Sequence, residues 1–322
     1  MDTLCKMFKI KYPIIQGGMG NISNAKLAAA VSEAGGMGTI GAGTMTPEEL
    51  DTIILETKSM TNNTFSVNIA INVNPYLEEM ISLVIERKIP IVSLSAGDPT
   101  AYIKRLHHVG IKVITVVGSV KHALKAEAAG TDAIVAEGYE AAGINSNYES
   151  TSLTLIPQIV SKVKVPVIAA GGIGDGRGLA AMLVLGARGV QIGTRFIATQ
   201  EAPFSDEYKH KIISATDIDT VIVGRSVNRI RRVLKTPYAK KLLEAEGNHF
   251  TLEKFNELTS EKYHKIGAID GNLAEGFING GQISGLINDI PTVEQLLCRM
   301  MREASHAANL FHEYIQPASH IK

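Results

Sequence analysis

Eight short runs, most of them apolar through their whole length, constrain this chain more than any other feature. They occupy residues 13–19, 38–42, 65–71, 89–96, 112–118, 133–138, 165–172 and 189–196. A strand with one wet face alternates apolar and polar residues. A strand that is apolar throughout is buried on both faces, as in a parallel sheet covered by helices. Helical patterns lie between the runs, such as Ala25-Lys-Leu-Ala-Ala-Ala-Val-Ser-Glu-Ala34 and Pro47-Glu-Glu-Leu-Asp-Thr-Ile-Ile-Leu-Glu56, and the theme returns at 76–88 and 122–129. Eight such units predict an α/β chain folded as a closed (β/α)8 barrel. A doubly wound sheet would need Gly-x-Gly-x-x-Gly directly after the first strand. The first turn reads Gln16-Gly17-Gly18-Met19-Gly20 instead, so the barrel is preferred.

The pattern changes after residue 196. Two or three helices, a polar segment near 247–262 and a basic stretch (Arg225, Arg229, Arg231, Arg232, Lys235) fill residues 205–280. The expectation is a barrel from 1–204 and 281–322, its outer ring completed by a last helix near 293–313. Residues 205–280 form a mainly helical insertion lying as a lid over the barrel mouth. The basic stretch reads as a solvated helix face or an interface. The sharper alternative is contact with a dinucleotide phosphate or an acidic substrate arm, since a guanidinium fork matches phosphate oxygens.

Composition narrows the partners. With 45% hydrophobic and 20% charged residues the chain is globular, not disordered. Its 32 basic and 32 acidic side chains cancel, which argues against a nucleic-acid partner. Cys5 and Cys298 stand at opposite ends without metal-ligand spacing, so neither a disulfide framework nor a metal site is expected. No run approaches the roughly 18 apolar residues of a membrane span. A soluble, cytoplasmic protein is expected.

Barrel active sites lie at the C-terminal ends of the strands, and glycines collect there: Gly17 and Gly18 after the first run, Gly97 after the fourth, Gly171 and Gly172 after the seventh, Gly193 in the eighth. A glycine at a strand tip lets backbone N–H groups approach a ligand with no Cβ in the way. The seventh and eighth strands are the usual phosphate site of barrels. Ala169-Ala-Gly-Gly-Ile-Gly-Asp-Gly176 and Gln191-Ile-Gly-Thr-Arg-Phe196 therefore predict a phosphate-bearing ligand.

These pieces, with Pro13-Ile-Ile-Gln-Gly-Gly-Met19, Phe65-Ser-Val-Asn68, Ala136-Glu-Gly-Tyr-Glu-Ala-Ala-Gly143 and Gly281-Gln-Ile-Ser-Gly-Leu-Ile287, resemble an FMN-dependent barrel family. That family contains nitronate monooxygenases (2-nitropropane dioxygenases), NADH:quinone reductases and flavin-containing enoyl-acyl-carrier-protein reductases. The resemblance implies FMN as cofactor and a small-molecule substrate: a nitronate, a quinone or an enoyl thioester. It further implies NAD(P)H as a candidate reductant and a homodimer. It implies that Gly17, Gly18 and Met19 border the flavin ring, that Asn68 bonds the ring or ribityl chain, and that Glu137 faces the ribityl region. Ala170, Gly171, Gly172, Gly193 and Thr194 would cradle the phosphate, and Gly143 would border the cofactor. Arg195 is expected to pair with an acid in the barrel wall.

One departure matters. Relatives commonly place a histidine after the Gly of this sixth-strand loop as the proton-handling group, whereas here Gly143 is followed by Ile144. Isoleucine moves no proton, and a positioned acid or base contributes about 10²–10⁴-fold in rate. The catalytic residue is therefore left unassigned. Oxidation of an already deprotonated nitronate ranks first, NAD(P)H:quinone-type reduction second and enoyl reduction third. The rivals are a flavin-binding sensor or scaffold without turnover and a sugar-phosphate-binding barrel.

Overall fold

Each of the eight runs is a strand in the computed structural model, which describes residues 3–22, 24–247 and 251–315. The barrel strands are β1 (Ile14–Gln16), β2 (Gly38–Gly41), β3 (Phe65–Ala70), β4 (Ile91–Ser95), β5 (Lys112–Val117), β6 (Ala133–Glu137), β8 (Val167–Ala170) and β9 (Gly189–Ile192). A second sheet holds β7 (Gly143–Ile144), β10 (Thr220–Val223) and β11 (Arg231–Leu234). The first sheet runs β1-β9-β8-β6-β5-β4-β3-β2, all neighbours parallel. It is a (β/α)8 barrel, closed where Ile15 bridges Met37. The seam is short: Met37 N–H donates to Ile14 O at 3.0 Å and Gln16 N–H to Met37 O at 2.9 Å. The buried Gln16 side chain completes it, donating to Thr39 O at 3.0 Å and accepting from Thr39 N–H at 3.3 Å. A polar residue within an apolar run is thus explained by the ladder it replaces.

Which end of the barrel is open follows from the N-terminus. The helix Thr3–Phe8 buries Leu4, Cys5 and Phe8 against Ile15, Met37, Ile91, Ile114 and Ile168. A Cβ on Gly189, at the start of β9, would lie 2.6 Å from Leu4 Cδ2. Each such fully buried aliphatic or aromatic side chain stabilises by roughly 1.5–3 kcal/mol. The N-terminal end is therefore plugged, and the C-terminal ends of the strands form the mouth. On the outside, a Cβ on Gly176 would meet Met300 O at 2.3 Å, which lets the helix Val293–Ile315 lie directly on the helix Gly176–Val184.

Residues 205–280 hold the helices Asp206–Ile213, Pro237–Gly247, Leu252–Leu258 and Glu261–Ala268 together with the β10–β11 hairpin. They carry a small core of their own: Val223, Val233, Tyr238, Ala239, Leu242, Phe255 and Phe277. The hairpin corrects the reading of the basic stretch as a solvated helix face. Arg231 and Arg232 open β11, and Arg232 is 3% exposed. Its Nη2 and Nε donate to Tyr139 O at 2.9 and 3.1 Å, and its Nη1 donates to Thr220 Oγ1 at 3.1 Å. Dense positive charge hid a strand whose only apolar residues are Val233 and Leu234. Residues 1–2 and 316–322 of the expected barrel segments lie outside the described residues. Among the described residues no helix is long and apolar enough to cross a membrane.

Candidate active site

The strand tips converge at the mouth. Gly17 N–H donates to Ile192 O at 2.8 Å, joining the end of β1 to β9. A Cβ on Gly18 would lie 2.6 Å from Asn68 Cβ, so the β1 tip rests directly on Asn68. Met19 reaches across to Gly193, its Cγ 4.0 Å from where a Cβ would be. Residues far apart in sequence are thereby brought to one side of the mouth.

On the other side, Gly171 and Gly172 follow β8 with φ of +93° and +73°, a left-handed pair that L side chains adopt only under strain. A Cβ on Gly171 would meet Gly138 O at 2.9 Å. Ala170, buried in the ladder opposite Glu137, spends its carbonyl on Gly138 N–H at 2.9 Å and Ser152 Oγ at 3.2 Å. At the end of β9, Gly193 caps the short helix Thr194–Ile197. Apart from Met19, nothing lies within 4 Å of its would-be Cβ. Thr194 is buried, and its hydroxyl accepts from Gly281 N–H at 3.1 Å, which leaves its proton free to donate. Among the described residues no protein acceptor takes the N–H groups of Gly172 or Gly193. Such unpaired donors around open space suit a phosphate.

Asn68 and Glu137 differ in how they are held. Asn68 Nδ2 donates to Ser93 O at 3.3 Å and to the hydroxyls of Ser93 and Ser95 at 3.2 Å, while its Oδ1 accepts from Ser95 Oγ at 3.4 Å. Its amide is fixed by β4. Glu137 is half-buried at the tip of β6 and makes no side-chain hydrogen bond among the described residues. Protein packed around it desolvates the carboxylate and pushes its pKa up to about 7.

Gly143 and Ile144 form β7, which pairs with Arg232 and Arg231 of the hairpin. Ile144 is 52% exposed, and no titratable group occupies its place. Arg195 behaves as expected: it is 2% exposed and bonds Asp289 Oδ1 at 2.9 Å. The sequence reading missed a further cluster beside β7. His264 is buried, with Nδ1 3.3 Å from Glu261 Oε1 and Nε2 3.1 Å from Asn279 Nδ2. Asn279 Oδ1 is buried without a partner among the described residues, and the Asn279 amide lies beside the position a Gly143 Cβ would take, its Oδ1 3.8 Å away. The only signal was an isolated histidine in a polar segment, which sequence spacing could not bring to the mouth. Also missed was Glu140, whose carboxylate accepts from Ser152 N–H and Oγ at 3.0 Å and fixes the loop after β6.

Residues 1–80 and 72–303 match the nitronate monooxygenase family. The chain belongs to that family. As a member of the nitronate monooxygenase family it is an oxidoreductase, and several proteins are similar along most of its length. A (3aS,4S,5R,7aS)-5-hydroxy-7a-methyl-1-oxo-octahydro-1H-indene-4-carboxyl-CoA dehydrogenase of Rhodococcus jostii is 31% identical, covering 94% of this chain and 95% of its own. A probable nitronate monooxygenase of Staphylococcus aureus is 36% identical over 80% of this chain and 85% of that protein. The solved structure of FabK from Thermotoga maritima superposes with a TM-score of 0.93 at 39% identity, covering 98% of this chain and 99% of that one.

Proposed function

We propose that the barrel mouth holds FMN and that the protein oxidises alkyl nitronates with dioxygen. The observation that carries the reading is the cradle at β8 and β9. Unpaired N–H groups of Gly172 and Gly193 and the Thr194 hydroxyl surround a space that a side chain at 193 would fill. Gly171, with its left-handed φ, turns the chain into that cradle, and Ala170 holds it to β6. Gly17, Gly18, Met19 and Asn68 would border the ring, Glu137 would face the ribityl chain, and Gly143 would flank the cofactor from β7. When bound, FMN supplies two-electron acceptance and return of those electrons to dioxygen. The chain's own residues orient the substrate and exclude water, with residues 205–280 acting as the lid. Burial raises the Glu137 pKa to about 7, which favours the protonated carboxyl, able to donate a hydrogen bond where a carboxylate would only accept.

Because Ile144 offers no base, a substrate that arrives deprotonated is favoured over a neutral nitroalkane. Reduction of an enoyl thioester with NAD(P)H is the second reading. It is favoured by the 39% identity to FabK and by the CoA-ester dehydrogenase among the relatives. It requires a proton donor at the α-carbon that Ile144 does not supply.

Gly193→Ala tests the cradle. Its φ of −117° is open to any residue and the new methyl meets no protein atom closer than 4.0 Å. The melting temperature of the apoprotein should stay unchanged while FMN affinity falls by about tenfold or more, since about 1.4 kcal/mol of lost contact is a factor of ten. Undiminished FMN binding in the folded variant would move the phosphate elsewhere.

A further inference from the structure

Arg231 stands beside the mouth, and the cofactor reading leaves its chemistry unused. It sits on β11 opposite Ile144. Its guanidinium lies 5.0 Å from the Phe277 ring centroid, and the His264 ring stacks on that same phenyl at 5.0 Å and 9°. Glu261, hydrogen-bonded to His264, reaches to within 3.5 Å of where a Gly20 Cβ would stand, just past β1. Asn279, on the other side of His264, faces Gly143 just past β6. The cluster thus spans the mouth from the tip of β1 to the tip of β6.

The guanidinium has no partner of its own. Among the described residues no carboxylate lies within 4.0 Å of it and no hydrogen bond leaves it, and its Nε is buried and unsatisfied. Arg195, Arg225 and Arg299 each hold a carboxylate, and Arg232 holds a carbonyl. Burial lowers the Arg231 pKa to about 10, with Glu261 opposing the shift, so the group remains charged at neutral pH. A partly desolvated charge, its Nε buried without a protein acceptor, carries a cost. A ligand that supplies the acceptor relieves that cost, and a guanidinium presents two parallel donors matched to two coplanar oxygens.

We propose that Arg231 binds the anionic group of the substrate, a planar, singly charged two-oxygen group such as a nitronate or a carboxylate. This deepens the reading of the mouth as the catalytic site and rests on it. Glu261 nearby disfavours a second negative charge, so monoanions are selected over dianions. The exposed Ile144, opposite Arg231 on β7, offers apolar contact for an alkyl chain attached to that group.

Calorimetric titration of the FMN-loaded protein with propionate, an unreactive carboxylate, provides the test. Steady-state KM and kcat for propyl-1-nitronate are measured beside it. The wild type should bind propionate saturably. Arg231→Met should weaken binding at least tenfold and raise KM for the nitronate by a similar factor, with bound flavin unchanged. Arg231→Lys keeps the charge without the fork and should fall between, and it carries the test alone if Arg231→Met does not fold. Wild-type propionate affinity and nitronate KM in the folded variants would overturn the proposal. So would a wild type that turns over nitronate yet binds no propionate. Propionate binding through Arg231 with no nitronate turnover would keep the anion site and reject the nitronate activity.

Discussion

At the scale of single residues, the mouth is distinguished by groups left unpaired. Glu137, with its carboxyl near pH 7, is one. A carboxylate whose folded pKa is raised holds its proton longer in the native state than in the unfolded chain, where it titrates near 4.5. Native protein therefore binds more protons between these values, and its stability falls as pH rises from about 4.5 to 7, then levels off. The contribution lost is at most roughly 3 kcal/mol for a shift of this size. Glu137→Gln removes the titration. Denaturant unfolding of the apoprotein at pH 5 and pH 8 should show a smaller pH-dependent loss in the variant. An identical loss in both proteins would place the titrating group elsewhere. Ile144 is the complementary case: its half-exposed side chain is apolar where the family resemblance led us to expect a proton-handling group, a departure legible in the sequence alone.

At the scale of elements, the barrel was legible and the hairpin was not. All eight barrel strands stand within the apolar runs because parallel strands buried on both faces leave that pattern wherever they occur. The glycines at their tips were legible because they cluster where the strands end, though the need differs: Gly171 abuts Gly138 O, Gly18 abuts the Asn68 side chain, and Gly193 borders open space. β11 escaped because Arg231 and Arg232 resemble solvent-facing residues until their partners are known, and Tyr139 O lies 93 residues away. His264, Glu261 and Asn279 escaped because nothing in their spacing fixes how residues 205–280 fold back. The hairpin nonetheless holds the β6 loop in place. Arg232→Met removes three hydrogen bonds and leaves the half-buried Tyr139 carbonyl without its partners, which should cost about 2 kcal/mol. Thermal unfolding should shift down by several degrees, and cleavage by protease in 139–149 should accelerate. A variant with unchanged melting and unchanged cleavage would show that β7 needs no such anchor.

At the scale of the whole molecule, one end of the barrel is plugged by the helix Thr3–Phe8, and the other gathers the unpaired N–H groups of Gly172 and Gly193, the raised carboxyl of Glu137 and the unpartnered guanidinium of Arg231. That polarity supports the proposal that the C-terminal mouth is the site of chemistry, and Ile144 supports the proposal that its substrates arrive already deprotonated. The most direct test mixes the purified flavin-loaded protein anaerobically with propyl-1-nitronate, neutral 1-nitropropane, NADH and NADPH in separate experiments, following the flavin absorbance. The account predicts rapid bleaching by the nitronate alone and much slower bleaching by the neutral nitroalkane. Bleaching by a pyridine nucleotide with none by nitronate, or a protein that binds no flavin, would contradict it.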